Sequence, residues 1–275
     1  SGLTNDNAQH EYYLTDTVGI AVASGKNAGA YKSSNPDMIK GANDRKDLLE
    51  LNTYARMAVI NKLMAEGVGF TCTDGVIIER SVEIGAGTEI LPGTIIKGCT
   101  TIGEGCVIGP NSVLENCTLC DNVTFNSSQA SGSVIESGVD VGPFVHIRPG
   151  SRIRGGAKIG DFVEIKNSDI GEKTAIAHLA YIGDTDIGTK SNIGAGTVTV
   201  NFDGVAKSRC VIGDYSFVGS NTSLIAPVKL GKGVYTAAGT TVTRDVPDYA
   251  LAIDRGELKI NEGYTLRKMT KFQNK

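Results

Sequence analysis

Tryptophan is missing from this 275-residue chain, and aromatic residues make up only 6% of it. An interior built without large rings must be filled by aliphatic side chains. No apolar run approaches the roughly 20 residues needed to cross a bilayer. The opening stretch SGLTNDNAQHEYYLTD has neither the basic nor the apolar region of a secretory signal. The expectation is therefore a cytoplasmic chain with no membrane partner. Basic charge is also in short supply: 27 Lys and Arg stand against 30 Asp and Glu, for a net charge of −3. That balance argues against an electrostatic nucleic-acid binder, which needs a basic stripe.

Paired cysteines are lacking too. Six are scattered along a chain too long to need disulfide staples, so they are expected as reduced thiols. Cys117 and Cys120 form a C-x-x-C, but no second pair or histidine stands at zinc-ligand spacing. Histidine is rarer still, with only His10, His146 and His178. A lone histidine is more often a hydrogen-bonded surface group than a catalyst.

What the chain does have is glycine, 35 residues of it, and an aliphatic repeat. Ile78, Ile84, Ile90, Ile96, Ile102, Ile108 and Leu114 fall at intervals of six. The count resumes with Ile135, Val141, Ile147, Ile153, Ile159 and Ile165, and again with Ile212, Val218, Leu224 and Leu230. Four residues after most of the early positions stands a small side chain, as at Thr88, Thr94, Thr100, Cys106, Ser112 and Thr118. A period of six matches neither a helix nor simple strand alternation. It suits short strands joined by turns, each sending one aliphatic residue inward. Stacked at that period, three strands per coil make a β-solenoid of roughly ten coils over residues 76–250. Spacing does not determine its handedness.

Ahead of the solenoid, residues 43–67 read as a connecting helix. Asn43 is placed as the N-cap, Leu48, Leu51, Ala55, Val59 and Leu63 share one face, and Gly67 ends it. Residues 1–42 are too few for a domain and are expected to be the remnant of a larger one. Residues 251–275 are read as a C-terminal tail, ordered against a partner subunit if at all.

Departures from the hexad pattern are where chemistry belongs. Arg148 and Lys166 each follow an inward Ile and lie three hexads apart, one full coil, so they stack on one edge. Like charges side by side repel unless an anion sits between them, and a phosphate suits two charge-assisted donors. His178, Ala195, Ser220 and Ala238 each lie two residues after an inward position and form a second column, open to a long ligand. The step from Ile193 to Ile212 exceeds three hexads by one position, so the segment 197–210 is expected to project as a loop offering Asn201 and Lys207.

The segments NAQHEYYLTD, GANDR, GPFVHIRPG, GDFVEIKN, AHLAYIGD, NIGAGTVTVNFDG, VGSNTSLIAPV and AAGTTVTRDV resemble the family of bifunctional N-acetylglucosamine-1-phosphate uridyltransferases/glucosamine-1-phosphate acetyltransferases. The resemblance covers nearly the whole chain. It implies a mainly β fold, a left-handed parallel β-helix preceded by the connecting helix. It also implies a homotrimer that moves acetyl from acetyl-CoA to the amine of glucosamine 1-phosphate for UDP-N-acetylglucosamine synthesis, and a missing uridyltransferase half. By the same resemblance His178 is the catalytic base. Arg148, Lys166, Tyr181, Asn192 and Lys207 hold the sugar phosphate, and Ala195, Asn201, Phe202, Ser220, Ala238 and Arg255 line the acetyl-CoA groove. Asn43 matches a position that binds magnesium and the UDP-sugar, without its partners. Phe202 stands where the family usually has Tyr, and His10 where it has Gly. Glu164 is a possible orienter of the imidazole, and the oxyanion donor is Ser220 or a backbone N–H. Other solenoid acyltransferases, a passive scaffold, and a zinc carbonic anhydrase remain as alternatives. The last needs three histidines, where the solenoid offers only His146 and His178.

Overall fold

The computed structural model describes residues 2–33, 40–266 and 269. The chain divides into two compact units, Ser1–Thr53 and Tyr54–Lys275. In the first, the Asn7 side-chain oxygen accepts the amides of Gln9 and Glu11, at 3.2 and 3.1 Å. Between them His10 holds φ +51. That left-handed geometry costs glycine nothing, which explains why a glycine-for-histidine exchange is conceivable there. Helix α1 (Asp16–Ala23) follows and buries none of its residues.

Helix α2 (Arg45–Ala65) is shorter than the expected 43–67 span. Its cap is Asp44 rather than Asn43: Asp44 Oδ1 accepts the Asp47 amide at 2.8 Å, while the Asn43 amide donates to Asp47 Oδ2 at 3.0 Å. Gly67, at φ +93, closes the helix as expected. The buried side is narrower than the sequence suggests. Ile60 and Leu63 are buried, Met57 and Val59 pack beside them, and Leu48 and Ala55 lie exposed.

The second unit is a parallel β-solenoid. Among the described residues, strands of two to four residues stack into three parallel sheets of 11, 10 and 9 strands. Sheet 1 runs from Gly69–Phe70 to Leu251–Ala252, sheet 2 from Ile77–Ile78 to Thr241–Val242, and sheet 3 from Glu83–Ile84 to Val228–Leu230. The solenoid thus starts before residue 76, and Leu251 pairs with Tyr235 instead of opening a tail. Of the tail, residues 267, 268 and 270–275 lie outside the described residues.

Most strands send one aliphatic residue inward, and Ile90, Ile96, Ile147, Ile159 and Ile165 are fully buried. Phe125 is the one fully buried phenylalanine among the described residues, and the next inward position of its coil is Ala130. The small side chain makes room for the ring. The small polar residues that accompany the repeat tie coils together. Thr88 Oγ1 donates to Gly103 O at 2.8 Å and accepts the Cys106 amide at 3.0 Å. Ser191 and Ser216 repeat the arrangement farther along. Among the described residues no buried side-chain nitrogen or oxygen lacks a partner, as a polar group inside a dry stack requires.

Two details of the repeat differ from the hexad count. After Leu114 the buried small residue is Cys117, and Thr118 points outward, because the turn has lost a residue. Ile165 pairs with Ile182 and Ile153 with Ile170, so these coils fall one position short of three hexads. At the shortened turns Asn116, Asn167 and Asp184 take left-handed φ values of 52, 47 and 48, a conformation Asn and Asp tolerate best among residues with a side chain. The second difference is the insertion. Ile212 pairs with Ile187, in the adjoining sheet-3 strand, rather than stacking on Ile193.

Candidate functional site

Register within sheet 2 sets the first half of the site. His146 pairs with Glu164, and Glu164 with Tyr181, along the outer face. Ile147 pairs with Ile165, which stacks Arg148 beside Lys166. Each cation has a carboxylate of its own: Arg148 Nη1 lies 2.9 Å from Glu164 Oε1, and Lys166 Nζ 3.8 Å from Asp184 Oδ2. The expectation that the pair needs an outside anion is therefore corrected, because the protein supplies the countercharges. Glu164 is likewise corrected as an orienter of His178, since it is engaged by Arg148 and sits in register with Tyr181.

Asp184 is the centre of this cluster, and sequence reasoning does not single it out. Its side chain is buried against Lys166, accepts from Asn167 Nδ2 at 2.6 Å, and accepts from Asn201 Nδ2. Burial alone pushes its carboxyl up; the bonds from Asn167 and Asn201, followed by the charges of Lys166 and Lys207, outweigh that and hold it below the usual carboxylate range. Lys207 stands beside Lys166, whose contact and charge draw it below the ordinary lysine range. Tyr181 closes the group: a Cβ on Gly183 would come within 2.6 Å of the Tyr181 hydroxyl and 2.8 Å of Asn201 Nδ2, so only a glycine leaves room for them.

The insertion carries Lys207. Asp203 Oδ1 accepts the amides of Val205 and Ala206 at 2.8 and 2.7 Å, and an antiparallel bridge joins Phe202 to Lys207. Those amide bonds hold the Asp203 carboxyl below its ordinary range. Phe202 is 53% exposed, whereas Asn201 is buried against Asp184. Asn201 thus belongs to the cationic cluster rather than to an open groove.

The second half lies at the corner between sheets 1 and 2. Strand Ala175–His178 ends on an exposed His178, whose register partner is Asp161. Ile176 pairs with Ile193 and Ile193 with Val218, and Phe217 pairs with Tyr235, so His178, Ala195, Ser220 and Ala238 do stack in one column. The Gly196 amide donates to Leu179 O, Asn221 to Ala195 O and Gly239 to Ser220 O, all within 2.8 Å, so the coils sit tightly at this edge. Arg255 reaches the same edge, its Nη2 donating to Ala238 O at 3.4 Å. Asn192 stands apart on the outer face of sheet 1, between Ala175 and Phe217.

The structure therefore gathers Arg148, Lys166, Tyr181, Lys207 and Asn201 in one cluster. His178, Ala195, Ser220, Ala238 and Arg255 line an adjoining edge, and two residues, Leu179 and Ala180, separate His178 from Tyr181, at most about 11 Å between Cα atoms. The arrangement sets a cationic cluster beside an exposed imidazole and a column of small residues.

Asn43 does not extend the set. Its described contact is an amide bond to Asp47, and among the described residues no three His, Cys, Asp or Glu side chains come together as a metal would require. These residues by themselves do not make a magnesium site. Cys117 and Cys120 are free thiols.

The bacterial transferase hexapeptide family, described by six repeats, matches residues 81–116 and 209–244. The bifunctional protein GlmU of Acetivibrio thermocellus is 45% identical over 266 residues, covering 97% of this chain and 58% of that protein. GlmU of Streptococcus pyogenes is 48% identical over 265 residues, covering 96% and 58%. The chain thus spans somewhat over half the length of the curated relatives it matches. Among solved structures, a UDP-N-acetylglucosamine acyltransferase from Arabidopsis aligns with 75% of this chain and 76% of its own, at 16% identity and a TM-score of 0.40.

Proposed function

This chain belongs to the GlmU family, and on that premise we propose that it transfers acetyl from acetyl-CoA to the amine of glucosamine 1-phosphate. The product is N-acetylglucosamine 1-phosphate, a precursor of UDP-N-acetylglucosamine. The observation that carries the reading is the exposed His178 at the head of the column of small residues, close in the chain to Tyr181 of the cationic cluster.

Arg148, Lys166 and Lys207 take the phosphate, and the Tyr181 hydroxyl bonds a sugar hydroxyl, which leaves the 2-amine facing His178. The thioester arm lies along Ala195, Ser220 and Ala238, with Arg255 at its far end and Phe202 beside the loop. The amine nitrogen attacks the thioester carbonyl carbon while His178 accepts a proton from that nitrogen. The C–S bond then breaks and the sulfur leaves as thiolate, to be reprotonated as free thiol. General-base catalysis supplies about 10²–10⁴-fold and positioning the larger part of the rest. The Ser220 hydroxyl or a backbone N–H of its turn is the oxyanion donor.

Asn192, on the outer face of sheet 1, serves the acceptor from a neighbouring copy in a homotrimer, since it is remote in register from the Tyr181 face. The reading carries with it a cytoplasmic setting, where acetyl-CoA is available. Among the described residues no helix is long and apolar enough to cross a membrane. A thiol-release assay with acetyl-CoA and glucosamine 1-phosphate tests the reading: release that depends on the amino sugar is expected, and release unaffected by it refutes the assignment.

A further inference from the structure

Asp184 occupies a turn whose backbone is already satisfied. Its amide donates to Lys166 O at 2.9 Å, and its carbonyl accepts the Cys210 amide at 3.1 Å. The left-handed φ of +48 is met as well by Asn as by Asp. Nothing in the turn itself calls for a buried negative charge, which is costly unless paired. The surroundings do call for it. Two lysine ammoniums, Lys166 and Lys207, stand side by side, and Asp184 is the carboxylate that faces both. One of its oxygens is held by Asn167 from the coil below; the other takes Asn201 and faces Lys166. Asn201 is the first residue of the insertion that carries Lys207, and its carbonyl accepts the Ser208 amide at 2.9 Å, closing the loop base. A single side chain therefore links the strand end bearing Lys166, the turn below it, and the loop bearing Lys207.

We propose that Asp184 is a positioning residue for acceptor phosphate, setting the Lys166 ammonium through its ion pair and the Lys207 loop through Asn201. Resting on the acetyltransferase reading above, this assigns to Asp184 the geometry of two cations rather than any contact with the reacting atoms. The carboxylate also offsets the repulsion between the two lysines, so a phosphate entering the site meets a preset pair.

The test compares the parent protein with Asp184→Asn, which suits the turn and removes the charge, and with Asn167→Gly, which suits its own left-handed turn and removes one of the bonds to Asp184. Asp184→Asn is expected to raise KM for glucosamine 1-phosphate about tenfold, the worth of one charge-assisted bond. KM for acetyl-CoA and kcat should stay within about twofold, and turnover of phosphate-free glucosamine should be equally unaffected. Asn167→Gly should move the acceptor KM the same way by about threefold. Calorimetry with glucosamine 1-phosphate should show the same weakening without reference to turnover. A parent that binds the sugar phosphate but does not acetylate it refutes the acetyltransferase reading, and the calorimetric comparison still decides on Asp184. Equal affinities in parent and Asp184→Asn, or losses of equal size with glucosamine, overturn the proposal; a parent that binds no sugar phosphate overturns both.

Discussion

Arg148 and Glu164 meet on neighbouring coils, Nη1 to Oε1 at 2.9 Å, with about two-fifths of each side chain still open to solvent. At that exposure an ion pair contributes about 0–1 kcal/mol to folding. Arg148 thus adds little to holding the solenoid together, and on the proposed reading it takes the acceptor phosphate. Arg148→Ala is expected to leave the thermal midpoint within about 2 °C of the parent. It should raise KM for glucosamine 1-phosphate at least about tenfold, a charge-assisted contact's worth. A large fall in the midpoint with an unchanged KM would make the arginine structural.

His178 ends its strand and stands exposed, so its removal perturbs no packing. His178→Ala should lower kcat by about 10²–10⁴-fold while acetyl-CoA still binds. Near-normal turnover in a folded variant would take His178 out of the mechanism.

The column Ala195, Ser220, Ala238 can lie against a long ligand only if it stays small. Ala195→Leu adds bulk at the point where the Asn221 amide closes on Ala195 O at 2.7 Å. We expect KM for acetyl-CoA to rise about tenfold or more, the cost of roughly 1.4 kcal/mol of lost contact, with the acceptor KM little changed. If the acceptor KM rises instead, the column serves the sugar and the roles of the two edges are exchanged.

How much of this is legible in the sequence differs along the chain. Where a coil holds three full hexads, each inward Ile is fixed by burial alone, and the register of Arg148 with Lys166 follows from counting. The count fails where Asn116, Asn167 and Asp184 shorten a turn, because one left-handed residue there does the work of two and looks in sequence like any polar turn residue. It fails again at the insertion: the extra loop shows in the count only as one position beyond three hexads, so counting sets Ile212 against Ile193 rather than Ile187. Asp184 escapes the count for a related reason. Its partners Asn167, Lys166 and Asn201 come from different turns and strands of the stack, and no local motif records them.

Acid should weaken the solenoid through its paired carboxylates. Arg154 holds Asp169, and Arg152 holds Glu136, below their ordinary ranges by hydrogen bonds to the guanidinium. Such groups have a lower pKa folded than unfolded. Their contribution is therefore complete above the unfolded values of 3.8 and 4.5 and is lost as pH falls through the lower folded ones. The thermal midpoint should be level down to about pH 5 and fall below it. Arg154→Ala should flatten that fall, and an unaltered profile in the variant would assign the acid sensitivity elsewhere.

Phe125 and Ala130 offer the sharpest test of how the core is filled. The ring is fully buried, and its coil carries an alanine at the next inward position, where most coils carry a branched aliphatic. Phe125→Ala alone should cost about 3–5 kcal/mol by leaving a cavity, and Ala130→Leu alone about 1–3 kcal/mol by overpacking. If the two positions share one volume, the double variant Phe125→Ala/Ala130→Leu should be more stable than Phe125→Ala, since the leucine enters space the ring has left. Denaturant midpoints of the four proteins measure this directly. Additive losses would show that the two side chains do not compete for the same space.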